Sequence, residues 1–232
     1  MTRIRKFWSI VTACGILLAA VAGEGQFHSQ QVVKKVPTTH KVVALTFDDG
    51  PHPKTTPALL SVLQAKNVKA TFFVLGENAE KFPAALKTIV DAGEEVGNHS
   101  YSHRFSRKIS DADFIEEVAR GEQAIAKIAP KPSLYRPPGG GYSDRRVMDL
   151  KQMGYTTVLW TVDTRDWEGR SSNDIINTVM KNVKPGDIVL MHEGDCARGT
   201  PAAVEVIIDK LREQGYNFVT VSELLQYYEM RE

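Results

Sequence analysis

From residue 41 onward the chain alternates short apolar runs with longer stretches of helical spacing. The apolar runs fall at 42–47, 70–75, 95–98, 134–137, 156–162, 188–191 and 218–221. Between them, Leu59, Leu60, Val62 and Leu63 mark one helical face, and Phe82, Ala85, Leu86 and Ile89 mark another. Phe114, Val118, Ala124 and Ile125 mark a third, while Val204, Ile207, Ile208 and Leu211 follow the i, i+3, i+4, i+7 template in full. Seven strand-like runs separated by helices require right-handed βαβ crossovers, and hence an α/β fold with a mainly parallel sheet. At this length the sheet is either open and doubly wound or a small, incomplete barrel, and periodicity does not separate the two. The sequence shows no internal repeat and no second domain.

Composition adds exclusions. Of 232 residues, 42% are hydrophobic and 25% charged, which is ordinary for a globular chain and excludes collagen-like or disordered classes. A formal charge of +1 gives no electrostatic case for nucleic acid. Two cysteines cannot build a disulfide framework, so packing must hold the core.

The N-terminus reads as an export segment. Arg3, Arg5 and Lys6 form a basic region, residues 7–22 are apolar apart from Ser9 and Thr12, and Ala20-Val21-Ala22 offers a signal peptidase site. Residues 1–22 are therefore expected to be a signal peptide, or else a retained membrane anchor. A third reading is lipidation at Cys14, although the apolar run continues past that cysteine through Leu18. All three place the remaining chain outside the cytoplasmic membrane, either secreted, wall-associated or tethered. Residues 23–40 are polar and unpatterned and are expected to be a linker, with the domain at 41–232. Cys196, the cysteine outside the export segment, reads as a tolerated loop residue.

The polar residues are informative by position. Successive apolar runs end in Asp48-Asp49-Gly50, in His99, in Arg136, in Asp163 and Asp166, and in His192. In parallel α/β folds the carboxyl ends of the strands share one face, where sites are built. Alone, Asp48-Asp49-Gly50-Pro51 is a plain turn. At a strand end, however, the chain is turning, and two adjacent carboxylates can reach one site. His99 and His103, four apart among six histidines, read alone as surface residues; with Asp49 they make a two-His, one-carboxylate set that leaves positions open for water and substrate. Arg136-Pro137-Pro138-Gly139-Gly140 pairs a rigid exit with a flexible one, and Arg136 can hold a carboxylate through a bidentate fork. A carboxylate beside His192 would favour its imidazolium form. His28, His40 and His52 have no such context and read as solvated.

Taken together, Thr46-Phe47-Asp48-Asp49-Gly50, His99-Ser100-Tyr101-Ser102-His103, Arg136-Pro137-Pro138, Asp166-Trp167 and Leu190-Met191-His192 resemble the polysaccharide deacetylase family, the carbohydrate esterases with a NodB-like domain (carbohydrate esterase family 4). All five motifs stand in the family's order. The resemblance implies a distorted (β/α) barrel with about seven parallel strands. It implies that Asp49, His99 and His103 bind one divalent metal, Zn²⁺ first with Co²⁺ or Ni²⁺ as alternatives. Asp48 would then be the general base, held by Arg136, and His192 the general acid, oriented by Asp166. Gly139, Trp167 and Leu190 would form the substrate pocket. The family often has an aromatic residue after Arg-Pro-Pro; Gly139 keeps the backbone N–H but removes that aromatic wall.

The inventory suits amide hydrolysis, which needs an activated water, donors for an oxyanion, and an acid for the leaving amine. The leading expectation is metal-dependent removal of N-acetyl groups from an extracytoplasmic glycan, peptidoglycan N-acetylglucosamine first and chitooligosaccharide next. An O-acetyl xylan esterase would use the same site. The reading from another class, a silent wall-binding domain, predicts loss of a ligand or the base, and none is lost here. No nucleic acid or protein partner is implied, and a membrane enters only through the N-terminal segment.

Overall fold

The structure, a computed structural model, describes residues 32–229. The export segment expected over 1–22 lies outside the described residues, as does the linker up to residue 31. The elements run β1 (Val32–Val33), β2 (Val42–Gly50), α1 (Thr55–Ala65), β3 (Thr71–Val74), α2 (Gly76–Lys81), α3 (Pro83–Asp91), β4 (Glu95–Asn98) and α4 (Asp111–Ile125). They continue with β5 (Leu134–Tyr135), α5 (Asp144–Gln152), β6 (Thr156–Val158), β7 (Val162–Asp163), α6 (Ser172–Asn182), β8 (Ile188–His192), α7 (Thr200–Glu213), β9 (Asn217–Phe218) and α8 (Val221–Leu224).

The strands form one sheet in the order β1-β6-β5-β4-β3-β2-β8-β7, with β9 added on β2, and every strand pair is parallel. The sheet curls until its two ends approach. Residues 159–161 bridge the gap, with Leu159 N–H donating to Val33 in β1 and Thr161 N–H to Ile188 in β8. Lys35 forms an antiparallel bridge to Asp187 across the same gap. The barrel reading is thus the correct one of the two alternatives, and its closure is incomplete.

Three expectations need correction. The run at 156–162 is not one strand but β6 and β7, because residues 159–161 make the crossing just described. The run at 218–221 ends early: Thr220 and Glu223 form a reciprocal cap that starts α8 at Val221. The linker expected over 23–40 is also too long, since β1 pairs with β6 and both Val33 and Val36 are fully buried. Two or three apolar residues inside a polar stretch carry no period, so only their tertiary partners reveal them.

Alternation along β2 explains its continuous apolar run. Val43, Leu45 and Phe47 pack outward against α1, α6 and α7, in the core that includes Leu59, Val179 and Ile207. Val42 and Ala44 face the barrel interior with Phe73, Leu134, Val158 and Ile188. A strand covered on both faces has no polar side to show. Burying Leu45 or Phe47 contributes about 1.5–3 kcal/mol each. By the same period Thr46 and Asp48 fall on the interior side, at the carboxyl end of the barrel.

Candidate active site

The paired aspartates reach one pocket through a bulge. Strand β2 does not stop at Phe47 but continues to Gly50; Asp48 pairs with Phe73 and Gly50 with Val74, which leaves Asp49 as an extra residue. Asp49 has φ 72°, a left-handed conformation uncommon outside glycine. The bulge turns a side chain that would have faced the helices toward the interior, beside Asp48.

The loop after β4 brings the histidines. Ser100 and His103 are also left-handed, with φ of 73° and 57°. The loop is tied down by Ser100 N–H on Asn98 Oδ1 at 2.9 Å, and by Ser102, whose N–H and hydroxyl both donate to the buried Glu117 of α4 at 2.8 Å. His99 Nδ1 lies 2.7 Å from the Arg136 carbonyl, which can only accept, so Nδ1 carries the proton and Nε2 keeps a lone pair. Burial lowers the His99 pKa against the pull of Asp48 and Asp49, which favours that neutral form.

The Nε2 atoms of His99 and His103 lie 3.5 and 3.4 Å from Asp49 Oδ1. That oxygen is buried and has no hydrogen-bond partner among the described residues. Two imidazole nitrogens and an unpartnered carboxylate oxygen, all within 4.8 Å of one another, are a donor set suited to a divalent ion. The residues present therefore fit a metal.

Asp48 sits against this cluster, 3.7 Å from His99 Nε2. Its Oδ1 accepts from Arg136 Nη1 at 2.6 Å. The guanidinium does not form the expected fork: Nη1 is shared with Thr46 Oγ1 at 2.8 Å, and Nη2 donates to the Leu159 carbonyl at 3.2 Å. Fully buried, with Cζ 4.0 Å from the centroid of the Phe73 ring, Arg136 fills the barrel interior as well as pairing Asp48.

Opposite stands a histidine–aspartate pair. Asp166, fully buried, accepts from His192 Nδ1 at 2.7 Å, from the His192 N–H at 2.8 Å, from the Thr200 hydroxyl at 2.7 Å and from the Trp167 N–H at 3.0 Å. The His192 ring is thereby fixed with Nε2 free. Burial alone would lower its pKa, but the bond to Asp166 and the charges of Asp48 and Asp49 outweigh burial and raise it.

These groups share a pocket of about 330 Å³, lined by Asp48, Asp49, His99, His103, Gly139, Trp167, Leu190 and His192. Arg136 and Asp166 lie behind it, so the structure brings together every residue singled out from the motifs. Phe105, Trp160 and Asp163 also line it. Phe105 corrects the expectation of a missing aromatic wall. Gly139 is left-handed, and a Cβ there would sit 2.7 Å from the Phe105 ring. A Cβ on Gly140 would meet Trp160 at 2.8 Å. The two glycines clear space that aromatic rings from other loops occupy.

Glu193 escaped sequence reading. It is fully buried behind β2, its Oε1 accepts from the Thr56 hydroxyl, and its Oε2 has no hydrogen-bond partner among the described residues. A Cβ on Gly50 would fall 1.5 Å from Oε2. Burial, with Asp49 and Asp48 adding, pushes its carboxyl up to about 8 despite the Thr56 bond. His52 is likewise not simply solvated, because its Nδ1 accepts the Thr55 N–H at 3.3 Å as α1 begins. Partial burial followed by the charge of Asp49 raises the Cys196 thiol, which argues against a reactive thiolate.

A curled parallel barrel with an orphaned two-His, one-carboxylate cluster, a pinned carboxylate and a histidine–aspartate pair defines a metal-dependent hydrolase. The sequence profile of the polysaccharide deacetylase family matches residues 35–158. The chain is 42% identical over 199 residues to a peptidoglycan-N-acetylglucosamine deacetylase of Bacillus cereus, covering 84% of this chain and 93% of that protein. It is 38% identical over 154 residues to a chitooligosaccharide deacetylase of Sinorhizobium fredii, covering 66% and 72% respectively. Its fold superposes with a TM-score of 0.82 on a crystal structure of the Bc1960 peptidoglycan N-acetylglucosamine deacetylase in complex with a naphthyl hydroxamate, at 37% identity over 87% of this chain and 95% of that one. The chain belongs to the polysaccharide deacetylase family, hydrolases acting on N-acetyl groups.

Proposed function

We propose that the protein removes N-acetyl groups from an extracytoplasmic glycan, peptidoglycan N-acetylglucosamine first and chitooligosaccharide next, releasing acetate and a free sugar amine. The observation that carries this reading is the unpartnered Asp49 Oδ1 between two Nε2 atoms, in one pocket with Asp48 and His192. The relatives' substrates support the choice of glycan, and the N-terminal segment supports export.

Asp49, His99 and His103 would hold the ion, Zn²⁺ first by donor type. When bound, such an ion polarises a carbonyl and acidifies water. The rest falls to side chains. Asp48, with Oδ1 pinned by Arg136, accepts the proton of the attacking water as the new C–O bond forms. Trp167 and Leu190 pack around the acetyl group, and the Gly139 backbone approaches the developing oxyanion. His192 then donates its Nε2 proton to the sugar nitrogen as the C–N bond breaks, and Asp166 holds the ring in place. General acid and base are each worth on the order of 10²–10⁴-fold.

Acetate release from peptidoglycan and from N-acetylglucosamine oligomers, with metal stripped and with Zn²⁺ restored, tests the proposal. Zn²⁺-dependent release is expected. Its absence from folded, metal-loaded protein would remove these substrates and direct the search to acetylated xylan. Fractionation of expressing cells tests export, with the protein expected outside the cytoplasm.

A further inference from the structure

A second groove, also of about 330 Å³, opens on the far side of Phe105 and is lined by Phe105, Arg107, Lys108, Gly139 and Gly141 among others. Phe105 and Gly139 line both cavities, so the phenyl ring is a partition between the catalytic pocket and this groove. The turn that carries the two cations is built rather than loose. Arg146 of α5 donates to the carbonyls of Ser106 and Ile109, the latter at 2.8 Å, and pairs with Asp111 at 2.8 Å. The buried Ser106 hydroxyl donates to the Gly141 carbonyl, closing the turn onto the other wall.

The neighbouring arginines each have a carboxylate. Arg104 pairs with Asp113 at 3.6 Å, Arg145 with Asp111 at 3.5 Å, and Arg146 with Asp111. Among the described residues, no ion pair engages Arg107 or Lys108. Arg107 Nε lies 3.5 Å from the point a Gly141 Cβ would occupy, at the groove wall. Lys108 Nζ lies 5.2 Å from the centroid of the Phe105 ring, beside the partition. Two cations without an ion-paired carboxylate among the described residues thus give a braced groove beside the catalytic pocket a positive wall, the charge that attracts an anion.

We propose that this groove is a carboxylate-binding subsite for the acidic part of a peptidoglycan strand, flanking the N-acetyl sugar under attack. The inference rests on the glycan reading above and decides between its two substrates. Chitooligosaccharide carries no anion, and each deacetylation gives it an ammonium that these cations repel. Peptidoglycan places a carboxyl-bearing sugar next to every N-acetylglucosamine, either as the free lactyl acid or, where peptides are attached, as carboxylates on the stem.

The test compares the metal-loaded protein with its Arg107→Gln/Lys108→Gln variant on three substrates. These are chitotetraose, a peptide-free peptidoglycan tetrasaccharide with free lactyl groups, and the same tetrasaccharide bearing stem peptides. The readout is the ratio of kcat/KM on each charged substrate to that on chitotetraose. A fall of about tenfold in that ratio, the size expected of two solvent-exposed charge contacts, supports the subsite. If the fall occurs on the peptide-free strand, the lactyl acid is the ligand; if only on the peptide-bearing strand, the stem is. Arg107→Lys/Lys108→Arg should restore the ratio. For the unmodified protein, the preference for the charged strand should shrink as salt rises. Equal losses on all three substrates, or a salt-independent preference, would overturn the proposal. Lack of acetate release by the unmodified protein from any of them would instead overturn the glycan reading on which it rests.

Discussion

The two walls of the catalytic pocket are built on opposite principles. The wall carrying Asp49, His99 and His103 is left incomplete. Of the five left-handed non-glycine residues among those described, three (Asp49, Ser100 and His103) lie there, and Asp49 Oδ1 is buried without a partner. Each such backbone conformation costs about 1–3 kcal/mol. The wall carrying His192 is complete, because Asp166 accepts four hydrogen bonds and has nothing left to satisfy. A wall that binds an ion must keep donors vacant and accept strain to aim them. A wall that moves a proton must hold one tautomer, which saturation does best.

Four sets of changes would break or sharpen this contrast. The largest effect is expected at the junction of the walls. Asp48→Asn keeps the shape and removes the proton acceptor, so kcat should fall on the order of 10²–10⁴-fold while metal content, measured by elemental analysis, stays the same. Unchanged turnover would move the base role elsewhere.

On the saturated wall, Asp166→Asn removes the charge that favours the His192 imidazolium. The raised His192 pKa keeps the acid form available until pH passes that value, so the alkaline limb of kcat/KM should move to lower pH in the variant. A limb that does not move would assign it to another group.

On the incomplete wall, a chelator should lower the melting temperature of the unmodified protein. At a metal concentration about 100 times Kd the ion stabilises the fold by about 2.7 kcal/mol. Asp49→Asn should abolish most of that dependence, and a variant that still responds fully would place the ion elsewhere.

The smallest effects concern the support beneath the bulge. Gly50→Ala drives a methyl into Glu193 and should cost about 1–3 kcal/mol in chemical denaturation. Glu193→Ala in the same chain should relieve much of that cost. In metal-stripped protein, Glu193 titrates near 8 when folded and near 4.5 when unfolded, so it is a group that binds its proton more tightly in the fold. Its contribution is fully present below about pH 4.5 and is lost as pH rises through about 8. Glu193→Gln should flatten stability across that window.

Much of the fold was legible because burial on both faces of a parallel strand leaves continuous apolar runs. Strands β2, β3 and β8 are examples, and the apolar faces of α1, α3, α4 and α7 were legible by their helical period. Helix α5 was not legible, since Asp144–Gln152 is mostly polar and buries little beyond Val147, Leu150 and part of Arg146. The core of the site was legible for a related reason. Asp48, Asp49, His99, Arg136 and His192 each follow an apolar run, and one end of a parallel barrel gathers such endings.

The sequence alone determined the class of fold, the family and the chemically distinctive residues, because residue type and local spacing carry all three. Tertiary structure decided what depends on elements far apart in the chain. Phe105 occupies the space that Gly139 vacates, and Glu193 wedges against Gly50. Residues 159–161 bridge the curled sheet, and among the described residues Arg107 and Lys108 have no ion-paired carboxylate while Arg104, Arg145 and Arg146 do. Each is a relation between side chains brought together by the closure of the sheet. Periodicity records only which face a residue occupies, and it holds no information about what lies opposite.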